Sequence, residues 1–222
     1  FAPEGWVNAV AASCIAKWSV EMNNSTYLNQ IYTDMDINLV CKAMTDPTNP
    51  LYNPNAEGLW NDDRMWMAIA LIDLSESFSK LGGGQNIKSS LIPSSFSIYD
   101  NVFKNWFNDV KCGTGSINSM VSKTFTTTCW QMGKGGKNCD PPNYSRNTIT
   151  NSLFLYLSCR LYLLKIPTSI SCGGGGGGVT QSTDLSQDIL YENIKDETTY
   201  LENIILPNGV LADGIDMTKK ST

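Results

Sequence analysis

Apolar residues recur in this chain at steps of three and four. That spacing returns a side chain to the same face of a 3.6-residue helix and commits most of the sequence to helices. Trp6, Val7, Val10, Cys14, Ile15, Trp18 and Met22 form a first stripe, and Leu28, Ile31, Tyr32, Met35, Leu39 and Val40 a second. A third runs from Met65, Trp66, Ile69 and Ile72 to Phe78, and a fourth through Tyr99, Val102, Phe103, Trp106 and Val110. The densest stripe, Ile149, Leu153, Phe154, Leu157, Leu161 and Leu164, predicts a helix buried on more than one side. Weaker stripes cover Leu185, Ile189, Leu190 and Ile194, and then Tyr200 to Ile205. No alternating pattern of the kind a half-buried strand needs competes with them. The expectation is an all-α fold of six or seven helices in consecutive antiparallel hairpins.

Turn-rich stretches separate the stripes: Asp46-Pro47-Thr48-Asn49-Pro50, Gly82-Gly83-Gly84 and Gly133 to Tyr144. The triplet at 82–84 and the six glycines at 173–178 read as flexible linkers. No Lys-Ser/Thr directly follows the longer run, so it is not a phosphate-cradling loop.

Composition narrows the function. With 222 residues, 41% hydrophobic and 17% charged, the chain suits one large domain spanning 1–222, or a substantial piece of one. Sixteen basic against 21 acidic residues give a net charge of −5, and no basic cluster could neutralise a run of phosphates, which excludes nucleic acid as the expected partner. The longest apolar run, Met65 to Ile72, falls far short of the roughly 20 residues that span a bilayer. There is no histidine. That removes Ser-His-Asp and Cys-His catalysis and His-ligated zinc, and leaves carboxylates, tyrosines and lysines for acid–base work.

Seven cysteines, at 14, 41, 112, 129, 139, 159 and 172, form no CxxC pair, which without histidine disfavours a metal cluster; disulfides are preferred over seven free thiols, with the odd one unpaired or paired outside this sequence. Asn23, Asn24 and Asn143 each head a glycosylation sequon. A sequence that begins at Phe1, with neither an initial methionine nor a hydrophobic leader, fits a processed secretory product, so the expected location is extracellular, in association with a cell wall.

The most informative segment is Trp60-Asn61-Asp62-Asp63-Arg64-Met65-Trp66. Acidic residues in a helix's first turn complement its macrodipole, so capping alone accounts for two adjacent aspartates. A catalytic reading competes with it. Trp60 and Trp66 flank the pair with surfaces on which a sugar ring can stack, the following helix is almost wholly apolar, and histidine is absent. Two carboxyls diverging from a helix start can reach the roughly 5–5.5 Å separation of a retaining glycosidase. Proximity and burial would then keep one protonated beside an ionised neighbour.

Trp60-Asn61-Asp62-Asp63-x-x-Trp66 followed by Met67-Ala68-Ile69-Ala70 resembles the Asp-Asp motif of the glycoside hydrolase family 76 α-1,6-mannanases. Cys129-Trp130-Gln131-Met132, and then Arg146-Asn147-Thr148-Ile149-Thr150-Asn151 with Cys159-Arg160-Leu161-Tyr162, is similar to the family's second block. Leu206-Pro207-Asn208-Gly209-Val210-Leu211-Ala212-Asp213-Gly214 is similar to its Gly-x-Val-x-Asp-Gly turn. Met67 stands where the family has a second aromatic, and Thr126-Thr127-Thr128 where it has glycines. The resemblance covers about residues 5 to 216. It implies Asp62 as nucleophile and Asp63 as general acid/base, with no cofactor and a mannan-type polysaccharide as partner. Trp60, Trp66, Trp130, Arg146, Asn147 and Asp213 become candidate sugar-binding residues. All but Arg146 have a plainer role open to them: the tryptophans as core, Asn147 as a helix cap, Asp213 as a turn. The family fold is an (α/α)6 toroid of twelve helices, more than 222 residues provide. The expectation is therefore a partial toroid whose second half lies elsewhere or is replaced by self-assembly. A non-catalytic structural or carbohydrate-binding subunit of a cell wall or extracellular fibre is the alternative function.

Overall fold

The computed structural model describes residues 5–45, 61–83, 85–108, 145–164, 166–167, 185–203, 205, 207–209 and 214–216. Most of them are helical. In chain order the elements are α1 (Gly5–Glu21), α2 (Thr26–Asp34), α3 (Ile37–Thr45), α4 (Asn61–Lys80) and α5 (Gln85–Asn108), then strand β1 (Ser145–Asn147), α6 (Thr148–Tyr162), α7 (Gln187–Asn203) and strand β2 (Gly214–Asp216). β1 and β2 form a two-stranded antiparallel ribbon with Ser145 opposite Asp216, Arg146 opposite Ile215 and Asn147 opposite Gly214. No helix among the described residues is long and apolar enough to cross a membrane.

α4 is the hub. α1, α2, α5 and α6 all pack against it. Its Met65, Met67, Ile69, Leu71, Ile72, Leu74 and Phe78 are each at most 3% exposed, a burial worth about 1.5–3 kcal/mol per side chain. Helix directions follow from paired contacts. Trp6 meets Asp63 and Lys17 meets Asp73, so α1 and α4 run parallel. The short link 81–84 makes α4 and α5 an antiparallel hairpin. Gln187 bonds to the Leu164 carbonyl while Ser158 and Asn193 meet on Tyr99, so α6 and α7 are antiparallel.

Two helix ends are closed by one device. After α1, Asn23 takes φ 47° while its N–H reaches the Val20 carbonyl (3.0 Å) and the Asn24 N–H the Ser19 carbonyl (2.9 Å). After α4, Gly82 takes φ 72°, its N–H reaches the Ser79 carbonyl, and the Gly83 N–H reaches the Phe78 carbonyl at 2.7 Å. Both are Schellman caps. A Cβ at Gly83 would meet Phe78 Cδ1 at 2.8 Å. The glycines at 82 and 83 therefore fix a turn, which corrects their reading as flexible linker; the run at 173–178 lies outside the described residues.

Other expectations change in detail. The second stripe is two helices, broken at Met35 and Asp36, and the two weak stripes after 185 are one continuous helix, α7. α6 is buried on one side only. Leu153, Phe154, Leu157, Ser158 and Leu161 face inward, while Ile149, Tyr156 and Tyr162 are exposed. Much of the first stripe faces outward: Trp6, Val7 and Trp18 of α1 and Met22 just after it are exposed, Ile15 packs against the core, and Ala9, Ala12, Ala16 and Ser19 make the contact face. Packing against α4 explains this, because small side chains let two helix backbones approach closely. Cys41 is disulfide-bonded, with its partner outside the described residues, whereas Cys14 and Cys159 are free thiols.

Candidate active site

Asp62, Asp63 and Arg64 occupy the first turn of α4, and steps of 100° around the axis give each a different neighbourhood. Arg64 is only 1% exposed. Its Nε donates to the Met44 carbonyl at 2.7 Å, and its Nη2 donates to the same carbonyl and to Asn101 Oδ1. Asn101 in turn donates from Nδ2 to the Thr45 carbonyl at 2.8 Å. The last carbonyls of α3 thus receive a guanidinium and an amide, the partners a helix C-terminus favours. The start of α4 is locked to the end of α3 and to α5.

Asp63 is 7% exposed. Its Oδ1 accepts the main-chain N–H of Trp6 at 3.0 Å. Trp6 lies in the first turn of α1, where backbone donors have no partner inside their own helix. Asp62 is half-buried, and its Oδ1 is sealed from solvent with no hydrogen-bond partner among the described residues. A carboxylate oxygen so placed costs stability unless a donor reaches it. Trp66, also half-buried, lies one turn further along the Asp62 face.

The remaining expected site residues divide. Arg146 and Asn147 lie in β1, paired with Ile215 and Gly214 and leading directly into α6. The ribbon therefore sets Asn147 of the second block opposite Gly214 at the end of the third, 67 residues on in sequence. Trp60, Trp130, Asp213 and Asn143 lie outside the described residues. Asn23 and Asn24 are exposed in the turn after α1, and Asn24 Oδ1 accepts the Thr26 N–H at 2.9 Å. Among the described residues no group of three or more Cys, Asp or Glu side chains is arranged to hold a metal ion.

Two polar clusters escaped the sequence reading. Asp73, 2% exposed in the middle of α4, accepts from Arg160 of α6 at 3.0 Å and pairs with Lys17 of α1 at 3.2 Å. Arg160 also donates to Glu76 at 2.9 Å and to the Tyr156 hydroxyl at 2.7 Å. Burial alone would lower the Arg160 pKa, but the bonds to Asp73, Tyr156 and Glu76 outweigh it and hold the guanidinium above its ordinary value. The available signal was Asp73 itself, a charge set inside the apolar run Leu71-Ile72-Asp73-Leu74. In the second cluster the Tyr99 hydroxyl meets Ser158 Oγ at 2.8 Å and accepts from Asn193 Nδ2 at 3.0 Å. Full burial pushes that phenol well above the ordinary tyrosine range.

No protein-family model, curated protein or solved structure matches this chain.

Proposed function

We propose that the chain is a retaining glycoside hydrolase or transglycosylase acting on α-1,6-mannosides, with Asp62 and Asp63 as its working pair. The observation that carries the reading is the contrast between the two carboxyls. Asp62 has a solvent-sealed oxygen with no donor among the described residues, while Asp63, beside it, is held by the N–H of Trp6. Trp66 adds an aromatic surface on the Asp62 side. The roles follow the resemblance. Asp62 attacks the anomeric carbon, the glycosidic C–O bond breaks, and the leaving oxygen takes the proton of Asp63. Asp63 then removes a proton from water or an acceptor hydroxyl. That oxygen attacks the anomeric carbon and releases Asp62.

The helix arrangement supports the toroidal fold that the resemblance implies. Such a fold stacks antiparallel hairpins with their inner helices parallel. The α4–α5 and α6–α7 pairs are antiparallel, and α1 runs parallel to α4. An extracellular location agrees with the exposed sequons at Asn23 and Asn24.

A second reading, a structural or carbohydrate-binding subunit of a cell wall or fibre, is favoured by the outward-facing Trp6, Val7 and Trp18 of α1 and by Met22 just after it. An apolar helix face of this kind suits assembly. Turnover of α-1,6-mannan oligosaccharides by the native protein, with Asp62→Asn and Asp63→Asn each at least about a thousandfold slower, is the result expected of the enzyme. No native turnover, or equal rates in all three, moves the weight to the assembly reading.

A further inference from the structure

Helix α1 carries no acid of its own in the first turn, yet its N-terminus meets a carboxylate: Asp63, 57 residues away and at the start of a parallel helix. We infer that the main-chain N–H of Trp6 is a positioning group for Asp63, orienting its carboxyl and favouring its ionised form. This rests on the reading of Asp63 as the acid/base of a glycosidase.

Three observations converge on the main chain rather than the indole. The bond has an ordinary length, 3.0 Å, and Asp63 is only 7% exposed, so little water reaches its carboxyl to compete. The Trp6 side chain is 53% exposed and points away from the contact face of Ala9, Ala12 and Ala16. The two helices are also braced a second time, ten residues along α4, by Lys17 on Asp73 at 3.2 Å, which keeps the N-terminus of α1 in register with the start of α4. A donor held this way does two things for an acid/base group. It fixes one carboxyl oxygen, and with it the plane of the carboxyl presented to a sugar. It also stabilises the charged state, through the hydrogen bond and through the positive end of the helix dipole. Both states are used in turn by a group that gives a proton in one step and recovers one in the next.

The donor can be removed without removing the helix. Trp6→Pro deletes the N–H at a first-turn position where proline is tolerated, and Gly5 before it accepts the backbone restriction. Trp6→Ala keeps the N–H and deletes only the indole. Carboxyl-carbon NMR of Asp63, recorded without substrate, is expected to show the titration midpoint of Trp6→Pro about one pH unit above native, the worth of one hydrogen bond to a charged acceptor, with Trp6→Ala at the native midpoint. The alkaline limb of kcat/KM on α-1,6-mannan oligosaccharides moves up with it in Trp6→Pro, because the acid stays protonated to higher pH. A native midpoint in Trp6→Pro, or the same shift in both variants, overturns the inference. A shifted midpoint in a protein with no turnover upholds the Trp6 contact and defeats the glycosidase reading instead. Should Trp6→Pro fail to fold, the native protein still decides: its Trp6 amide resonance must move with the Asp63 midpoint, and an amide that ignores that titration refutes the contact.

Discussion

Asp62, Asp63 and Arg64 are consecutive in sequence, yet one has a sealed oxygen without a described donor, one takes the N–H of another helix, and one seals the end of a third. Sequence pattern made the acids legible, because two carboxylates ahead of an apolar helix stand out. It could not separate their surroundings, since Trp6 lies 57 residues from Asp63 and Met44 lies 20 from Arg64. The buried phenol of Tyr99 was hidden for the opposite reason: an aromatic at helical spacing reads as core, and its hydroxyl partners lie on two later helices. Its ring also stacks on Phe154 at 5.1 Å and Phe103 at 6.3 Å, so Tyr99→Phe keeps the packing and deletes only the polar link. Stability is expected to fall by about 1–2 kcal/mol in denaturant unfolding, because Ser158 and Asn193 lose a buried partner; an unchanged midpoint would contradict that role. The thiols separate by environment as well. Burial pushes the half-buried Cys159 thiol up and shields its sulfur, so it alkylates more slowly than the exposed Cys14. Peptide mass spectrometry after brief iodoacetamide treatment is expected to find Cys14 modified first, with the gap narrowing as pH rises. Equal rates at pH 7.5 would refute the assignment.

Among the elements, those with a long apolar period were the legible ones. α4 and α6 follow it closely. The first half of α5 does not, since Pro93 interrupts the backbone pattern and Ser90, Ser94, Ser95 and Ser97 stand at buried positions. Serine serves there because it is small. Ser95 Oγ donates to the Ala68 carbonyl at 2.9 Å, a contact available only where α4 and α5 approach closely. The same economy of size inverted α1, which buries its alanines while the side chains of Trp6 and Trp18 stay exposed. Glycines at 82 and 83 were read as slack because composition does not reveal a positive φ that closes a helix. The ribbon of β1 and β2 is three residues on each strand, too short for any alternation to register. Between α4 and α6 the tie is ionic. Arg160→Ala deprives the buried Asp73 of its best donor and leaves it the exposed Lys17. A loss of about 2–3 kcal/mol is expected in urea unfolding, less than for a fully orphaned buried charge because Lys17 remains. A change below about 0.5 kcal/mol would mean that apolar packing alone holds the two helices.

At the scale of the molecule, α1, α2, α5 and α6 gather on α4, with the acid pair at its N-terminal end and the Asp73 charge cluster midway along it. The helical class was legible because periodicity is a local signal. The direction of α1 relative to α4 was not, because it depends on contacts more than 50 residues apart. One measurement bears most directly on the claim that this hub serves glycosidic chemistry. A mannose-configured epoxide that alkylates retaining glycosidases should add once, to Asp62, as read from the mass of the peptide containing 61–80, and the addition should vanish in Asp62→Asn. Failure to label the native protein, or labelling that persists in Asp62→Asn, would contradict it.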